Sequence, residues 1–314
     1  MGAPTTHADH PSLPAPHTVE VSDGIFAYVQ PDGSWWINNT GFLTGRNGIV
    51  AIDTCSTERR TRDFLGAVRA VSDQPVRTLV NTHHHGDHTN GNCLLPDATI
   101  IGHHRCREGV LASPIGAANA IFETIDWGAV ELAPPFVTFE DRLDVHVDDL
   151  RVELHFIGGP AHTPGDIVAW IPERSVLFAG DLVFNGGTPF VVMGSVAGSL
   201  AAVERLRLFG AETIVPGHGG VCRSEALDDV AGYLRFVQEL ASEAKAAGAT
   251  PLAAAREADL GPYAELLDAE RLVGNLHRAY AEIDGLAPGA PIDIVAAFGD
   301  MVAYNGGRPL RCLA

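Results

Sequence analysis

The sequence predicts a mixed α/β fold with an all-helical C-terminal part, and three observations predict it. From Thr18 onward, the short alternating or apolar runs TVEV, GIFAYVQ, SWWINNTGFLTG and GIVAIDT are punctuated by Gly, Asp and Asn, which is the pattern of strands joined by tight turns. Residues 59–71 place apolar positions at helical spacing and lead into the strand-like VRTLVNT, so a strand, helix, strand unit stands in the first half. The second half repeats that architecture: VTFE, RLDVHV, LRVELHFIGG, IVAWIPERSVLFAGD and TIVPGHG read as strands, with a helix over 199–209 before the last. ATIIGHH and CREGVLAS add a strand and a helix, and 113–135 form an irregular stretch with Ile121, Phe122 and Trp127 that could line a substrate mouth.

Beyond Ser224 the text turns helical, through DDVAGYLRFVQELASEAKAAG, PLAAAREADLG, AELLDAERLVGNLHRAYAEIDG and IDIVAAFGDMVAYNGG. Thr250-Pro251 suits a helix N-cap with proline at the first helical position, and Gly261 and Gly285 suit helix stops. The expected organisation is a Pro- and His-rich N-terminal tail over 1–17, an α/β domain over 18–223, and a helical extension over 224–314 packed on that domain.

A chain of 314 residues with 46% apolar and 19% charged residues has the means to build a large core. The formal net charge of −18 repels a phosphate backbone, so a nucleic-acid partner is not expected. The opening MGAPTTHADHPSLPAPH lacks a charged leader and an apolar run, and no later stretch is apolar enough for a membrane span, which points to a cytoplasmic protein. Its five cysteines are widely separated and never form a C-x-x-C pair, which suits buried thiols in a reduced compartment.

Chemistry concentrates in Asn81-Thr82-His83-His84-His85-Gly86-Asp87-His88, where four histidines and a carboxylate occupy six residues directly after an apolar strand. Alternate side chains of extended backbone share a side, so His83 and His85 can share one metal while Asp87 and His88, beyond the Gly86 turn, face a second. His84 then points away as a packing or solvated histidine, and His103, His104, His146 and His155 read the same way. Three later apolar runs end in further ligands beside glycine: His162 in GPAHTPGD, Asp181 in LFAGD and His218 in VPGHG. Imidazole and carboxylate donors without a cysteine pair suit an open catalytic site for zinc, with iron or manganese as alternatives. Asp53, Thr82 and Thr163 are the nearest polar residues by sequence to orient the imidazoles.

This series, HHHGDH, the His of AHTPGD, the Asp of FAGD and the His of PGHG after the Asp of AIDT, resembles the metallo-β-lactamase superfamily across residues 18 to about 220. The resemblance implies a four-layer αβ/βα sandwich with extra C-terminal helices and a site at one edge of two facing sheets. It implies two Zn2+ ions, one held by His83, His85 and His162, the other by Asp87, His88 and His218, with Asp181 bridging and Asp53 supporting the metal loop. Asp87 would hold the nucleophile or pass its proton, in an enzyme that activates water or polarises a carbonyl.

LLDAERLVGNLHRAYAE, AYNGGRPLRCLA and FNGGTPFVVMGSVAG further resemble the metallo-β-lactamase-like cyclases and thioesterases of aromatic polyketide pathways. That likeness implies a small-molecule carbonyl substrate such as an aromatic polyketide intermediate. A general ester, lactone or thioester hydrolase of the glyoxalase type is the alternative, ahead of a β-lactamase, for which an export signal is missing. A metal-binding partner protein without catalysis is the alternative of a different class. Trp36, Phe122 and Trp127 are candidates for an apolar pocket wall. His277 and Tyr280, three apart on a predicted helix, are candidates to face the cleft.

Overall fold

The computed structural model describes residues 13–314, so most of the expected tail, with His7 and His10, lies outside the described residues. Two sheets carry the architecture. In the first, β1 (His17–Ser22), β2 (Ile25–Val29), β3 (Thr40–Gly45) and β4 (Gly48–Ile52) form an antiparallel meander. β5 (Val76–Val80), β6 (Thr99–His103) and β7 (Val137–Phe139) then extend it in parallel. Parallel neighbours need crossovers. These are α1 (Glu58–Val71), the single turn α2 (Gly86–Thr89) and α3 (His104–Ala112). In the second sheet β8 (Arg142–Val147), β9 (Leu150–Phe156), β10 (Ile167–Ile171) and β11 (Val176–Asn185) are antiparallel. α4 (Val196–Arg207) returns the chain so that β12 (Thr213–Gly219) lies parallel to β11.

The period of two in the strands decides the layers. Ile25, Ala27 and Val29 of β2 and Val50 and Ile52 of β4 point inward, where they meet Ile167, Ala169 and Ile171 of β10 in one core between the sheets. Tyr28 of β2 and Ile49 and Ala51 of β4 point outward onto Phe64 and Val68 of α1. On the far side, Val168 and Trp170 of β10 pack with Ala202, Val203 and Leu206 of α4. The same cluster takes in Leu234 and Val237 of α5 (Glu225–Ala246), Ala254 of α6 (Pro251–Glu257), Leu276 of α7 (Arg271–Ile283) and Met301 of α8 (Ile294–Tyr304). The result is a helix, sheet, sheet, helix sandwich with the C-terminal helices on its outer layer. Among the described residues, no helix is long and apolar enough to cross a membrane.

Local chemistry moves several expected boundaries. α4 starts at Val196 because the Ser195 hydroxyl accepts the Gly198 amide at 2.9 Å and caps it. SWWINNT is not a strand: Trp36 has a φ of 66° and pairing begins only at Thr40. AELLDAE does not extend the next helix, since Asp268 adopts a φ of 59° and α7 opens at Arg271. α6 ends at Glu257, short of Gly261, which instead opens a 3-10 turn, while Gly285 follows α7 in the left-handed conformation. Thr250 caps α6 as expected, accepting the Ala253 amide at 3.2 Å.

One polar ladder ties the helical layer to the site. Arg271, Asn275 and Arg278 recur at helical spacing on α7 and are all buried, in a helix otherwise packed through Leu272, Val273 and Leu276. Arg271 donates to the Thr188 carbonyl at 3.0 Å, and Asn275 donates to the Pro189 carbonyl at 2.8 Å while accepting the Val191 amide at 2.9 Å. Arg278 donates twice to the Val192 carbonyl. Side chains thus satisfy much of the 188–192 backbone, while the Thr188 amide donates to the Leu267 carbonyl and the Val191 carbonyl accepts the Gly194 amide, as a buried segment outside any sheet requires. Asn275→Ala strands the Val191 amide and the Pro189 carbonyl, and is expected to lower the unfolding free energy in urea by about 2–3 kcal/mol.

Candidate metal centre

The site forms where strands end on one edge of the sandwich. β5 stops at Val80 and delivers His83 and His85; α2 turns Asp87 and His88 back towards them. His162 lies in the connection between β9 and β10, Asp181 within β11, and His218 near the end of β12. Register shifts between Phe178 and Gly180 and between Gly180 and Phe184 bracket Asp181, so the strand is irregular where this side chain must be re-aimed. Gly180 takes a φ of 52°, and a Cβ at Gly217 would strike Asp181 Oδ1, so both positions require glycine.

The ligand-type atoms fall into two groups that share Asp181. In each of them, His83, His85, His162 and Asp181, and Asp87, His88, Asp181 and His218, these atoms lie within 4.8 Å of one another. Asp181 Oδ2 is 3.3 Å from both His162 Nε2 and His218 Nε2, and Asp181 Oδ1 is 3.0 Å from His88 Nε2. His218 Nε2 is also 3.2 Å from Asp87 Oδ2.

The far side of each ring is anchored. His88 Nδ1 meets Asp53 Oδ2 at 2.9 Å, and His83 Nδ1 meets Thr82 Oγ1 at 3.1 Å. His218 Nδ1 donates to the Gly33 carbonyl at 3.1 Å, and His162 Nδ1 to the Phe190 carbonyl. His85 is reversed: its Nε2 lies 3.3 Å from Met193 Sδ, and its Nδ1 faces His162 Nε2 at 2.8 Å. Asp53, itself at a φ of 59°, also accepts the Thr82 amide at 2.8 Å and the Thr82 hydroxyl at 2.7 Å. It therefore fixes both the loop and one ring.

Five imidazoles and two carboxylates share this buried space. Burial pushes the pKa of His83, His85 and His162 below the ordinary histidine value, leaving neutral rings with lone pairs to give. For His88 and His218, burial works against charge but the nearby carboxylates, Asp181 foremost, outweigh it and raise the pKa. Burial likewise opposes ionisation of Asp87 and Asp181, yet His88 and His218 hold both carboxyls low. The negative charge here is balanced either by protons on imidazole or by cations. Buried His83 Nε2, His88 Nε2 and Asp181 Oδ1 make no well-aligned hydrogen bond, even though His88 Nε2 and Asp181 Oδ1 lie only 3.0 Å apart. Such orphans are unfavourable in a protein interior and suit metal coordination, so the donor set fits two divalent ions.

Over the cluster opens a cleft lined by Asp87, Asp181, Trp35, Trp36, Phe122 and Arg271 among others. Trp36 stands edge-on to Phe122 and to Trp127, with ring centroids 5.7 and 5.0 Å away. The structure thus brings together the seven ligand candidates and places Trp36 and Phe122 on the cleft, with Trp127 beside them.

The expectations for His277, Tyr280 and Thr163 need correction, whereas that for His84 does not. His277 is turned to α8, where its Nε2 pairs with Asp300 at 2.8 Å, and Tyr280 donates to the Ala249 carbonyl at 3.1 Å. Neither reaches the cleft, because the face of α7 that looks to the site is the one bearing Arg271 and Asn275. Thr163 touches no imidazole; its amide and hydroxyl both bind Asp166, at 2.8 and 2.6 Å, and so brace the loop that carries His162. His84 stays outside both groups, packed on Gly109.

Sequence reasoning missed the carbonyls of Gly33 and Phe190, which carry no side-chain signal, as well as Met193, Phe184 and Arg271. The Arg271 guanidinium lies 4.0 Å from the Trp35 ring and 5.2 Å from the Phe184 ring, and Phe184 stacks at 8° on His218. The i, i+4, i+7 spacing of Arg271, Asn275 and Arg278 among apolar residues was the signal available for that side of the site.

The sequence model of the metallo-beta-lactamase superfamily matches residues 33–218, a range that holds all seven cluster residues. A linear primary-alkylsulfatase of Pseudomonas sp. is 26% identical over 212 residues, 55% of this chain and 39% of that protein. A hydroxyacylglutathione hydrolase of Rhodospirillum rubrum is 34% identical over 143 residues, 45% of this chain and 46% of that protein. The chain thus spans less than half the length of these two relatives. In fold it is similar to a metallo-beta-lactamase from Pontibacter korlensis, with a TM-score of 0.58 at 20% identity over 70% of this chain and 99% of that one.

Asp53→Ala removes the acceptor of His88 Nδ1 and of the Thr82 amide and hydroxyl, and puts alanine in a left-handed conformation. It is expected to cost about 3 kcal/mol in denaturant unfolding with chelator present, and Asp53→Asn distinctly less.

Proposed function

Because the chain belongs to the metallo-β-lactamase superfamily, we propose that it is a di-metal enzyme acting on an ester- or thioester-type carbonyl of an apolar small molecule, as polyketide cyclases and thioesterases do. The observation that carries this reading is the seven-residue cradle set directly beneath an aromatic cleft. His83, His85 and His162 would hold one ion and Asp87, His88 and His218 the other, with Asp181 shared. Zinc suits these donors, and iron or manganese would be accepted by them as well. Bound metal supplies Lewis acidity towards a carbonyl oxygen and makes water a nucleophile near neutral pH.

The protein's own contribution is positional. Asp87 lines the cleft, where its carboxylate would be placed to take the proton released by an attacking water. Anchored rings keep their near nitrogens aimed inward without reorganisation. Trp36, Phe122 and Phe190 exclude bulk water from the reacting carbonyl.

The polyketide-type reading draws support from where its motifs meet. FNGGTPFVVMGSVAG carries Phe184, Phe190 and Met193 to the cleft, and LLDAERLVGNLHRAYAE supplies the Arg271 and Asn275 that hold this loop. A glutathione thioester fits less well, since its carboxylates call for free cations and the one arginine lining the cleft is paired with Asp268 at 2.9 Å.

Elemental analysis of the purified chain is expected to find two metals, and Asp181→Ala fewer. Turnover of a chromogenic thioester or lactone should fall at least about a hundredfold in that variant, the upper range seen for weaker perturbations of metal sites. A cephalosporin should be a poor substrate. Two bound metals with no thioester or lactone hydrolysis would sink the hydrolytic reading in favour of ring closure without water attack, and a chain that binds no metal would sink both.

A further inference from the structure

The cleft does not end at its aromatic wall. Trp36, His85, Gly86, Phe122, Met193 and Phe298 line it and also line a second, larger groove that borders it. Ile115 and Ile121 form one flank of that groove, and Val295, Phe298 and Val302 of α8 the other. Among the described residues no Asp, Glu, Lys or Arg lines it, whereas Asp87, Asp181 and Arg271 all line the cleft. α8 lies beyond the residues matched by the superfamily, so this wall is an addition to the common platform.

We propose that the groove binds an uncharged apolar arm of the substrate, a long acyl chain or fused aromatic rings, whose carbonyl end reaches the cluster. The proposal rests on the reading of the cluster as the reacting centre. Three features carry it. The groove and the cleft share six lining residues, His85 of the cluster among them, so an occupant of the groove lies at the border of the cluster. Its polar lining is limited to His84, His85, Thr89, Asn90 and Ser113, with no Asp, Glu, Lys or Arg among the described residues to pair a charged group, and burying an unpaired charge is prohibitive. Its apolar walls gain free energy by covering carbon, roughly in proportion to the area removed from water.

Gly299 offers a clean probe. It lies on the α8 wall, and a Cβ built there meets nothing within 4 Å, so a large side chain projects into open space rather than into the fold. Val295, 79% exposed at the groove, tolerates a charge without loss of core packing.

The test uses the metal-loaded full chain and two readouts. The neutral dye N-phenyl-1-naphthylamine reports binding through its fluorescence, and a series of 4-nitrophenyl acetate, butyrate and decanoate with 2-naphthyl butyrate reports turnover. Saturable dye binding, displaced by decanol and weakened about tenfold in both Gly299→Phe and Val295→Asp, is expected, the scale of a few methylene groups lost from contact. The ratio of KM for decanoate to KM for acetate should rise about tenfold in Gly299→Phe. A KM preference for decanoate identifies a chain, and one for the naphthyl ester identifies rings. If dye binding and the KM ratio are the same in the wild type and both variants, the groove is not the site and the proposal falls. If no ester is turned over while dye binding still drops in both variants, the hydrolase reading falls and the apolar site stands.

Discussion

Two carboxylates buried among five imidazoles are the constraint on which this molecule is organised. Ionised groups taken out of water are tolerated only when paired, hydrogen-bonded or bound to cations, so everything around Asp87 and Asp181 has to be held still. That requirement explains why anchors come from so many elements: Asp53 from the end of β4, Thr82 after β5, the Gly33 carbonyl from the loop before β3, and the Phe190 carbonyl from the loop after β11. It also explains the glycines at 180 and 217, where any side chain would displace Thr82 or Asp181.

The second half of the constraint is met by the C-terminal helices. α7 turns a row of polar side chains inward, which is unusual for a helix face in a core, and spends it on the backbone of the 188–192 loop. The same helix presses the Arg271 guanidinium onto Trp35 and Phe184, and Phe184 stacks on His218. Asp268, next to that guanidinium, has its carboxyl pushed up to about 6 by burial, although Arg271 pulls it down. Position of a cluster ring and packing of the outer helical layer are therefore one problem, which links a helix outside the family core to the chemistry at the sheet edge.

The sandwich and the cluster form a platform that many reactions can share, and what sits above it selects among them. Here the layer above the cluster is built from the irregular 113–135 stretch and α8. Phe122 and Leu310 form a bridge in which the Leu310 amide donates to Ile121, so the C-terminal segment also helps hold this layer down.

The order of strands and helices and the identity of the seven cluster residues were legible in the sequence. Strand alternation, helical periodicity and a run of histidines after an apolar strand are local signals that survive without knowledge of neighbours. The supporting role of Asp53 was legible through the family resemblance, and the pairing of β4 with β5 is what brings it against Thr82 and His88. What only the tertiary structure decided was which atoms share a space. Backbone carbonyls such as those of Gly33 and Phe190 look alike in any sequence, Thr163 proved to serve Asp166, and the rotation of α7 turned Arg271 inward while His277 and Tyr280 met other helices. A helix's phase about its axis is set by packing against partners distant in the chain, and sequence periodicity names the faces of a helix without saying what each face meets.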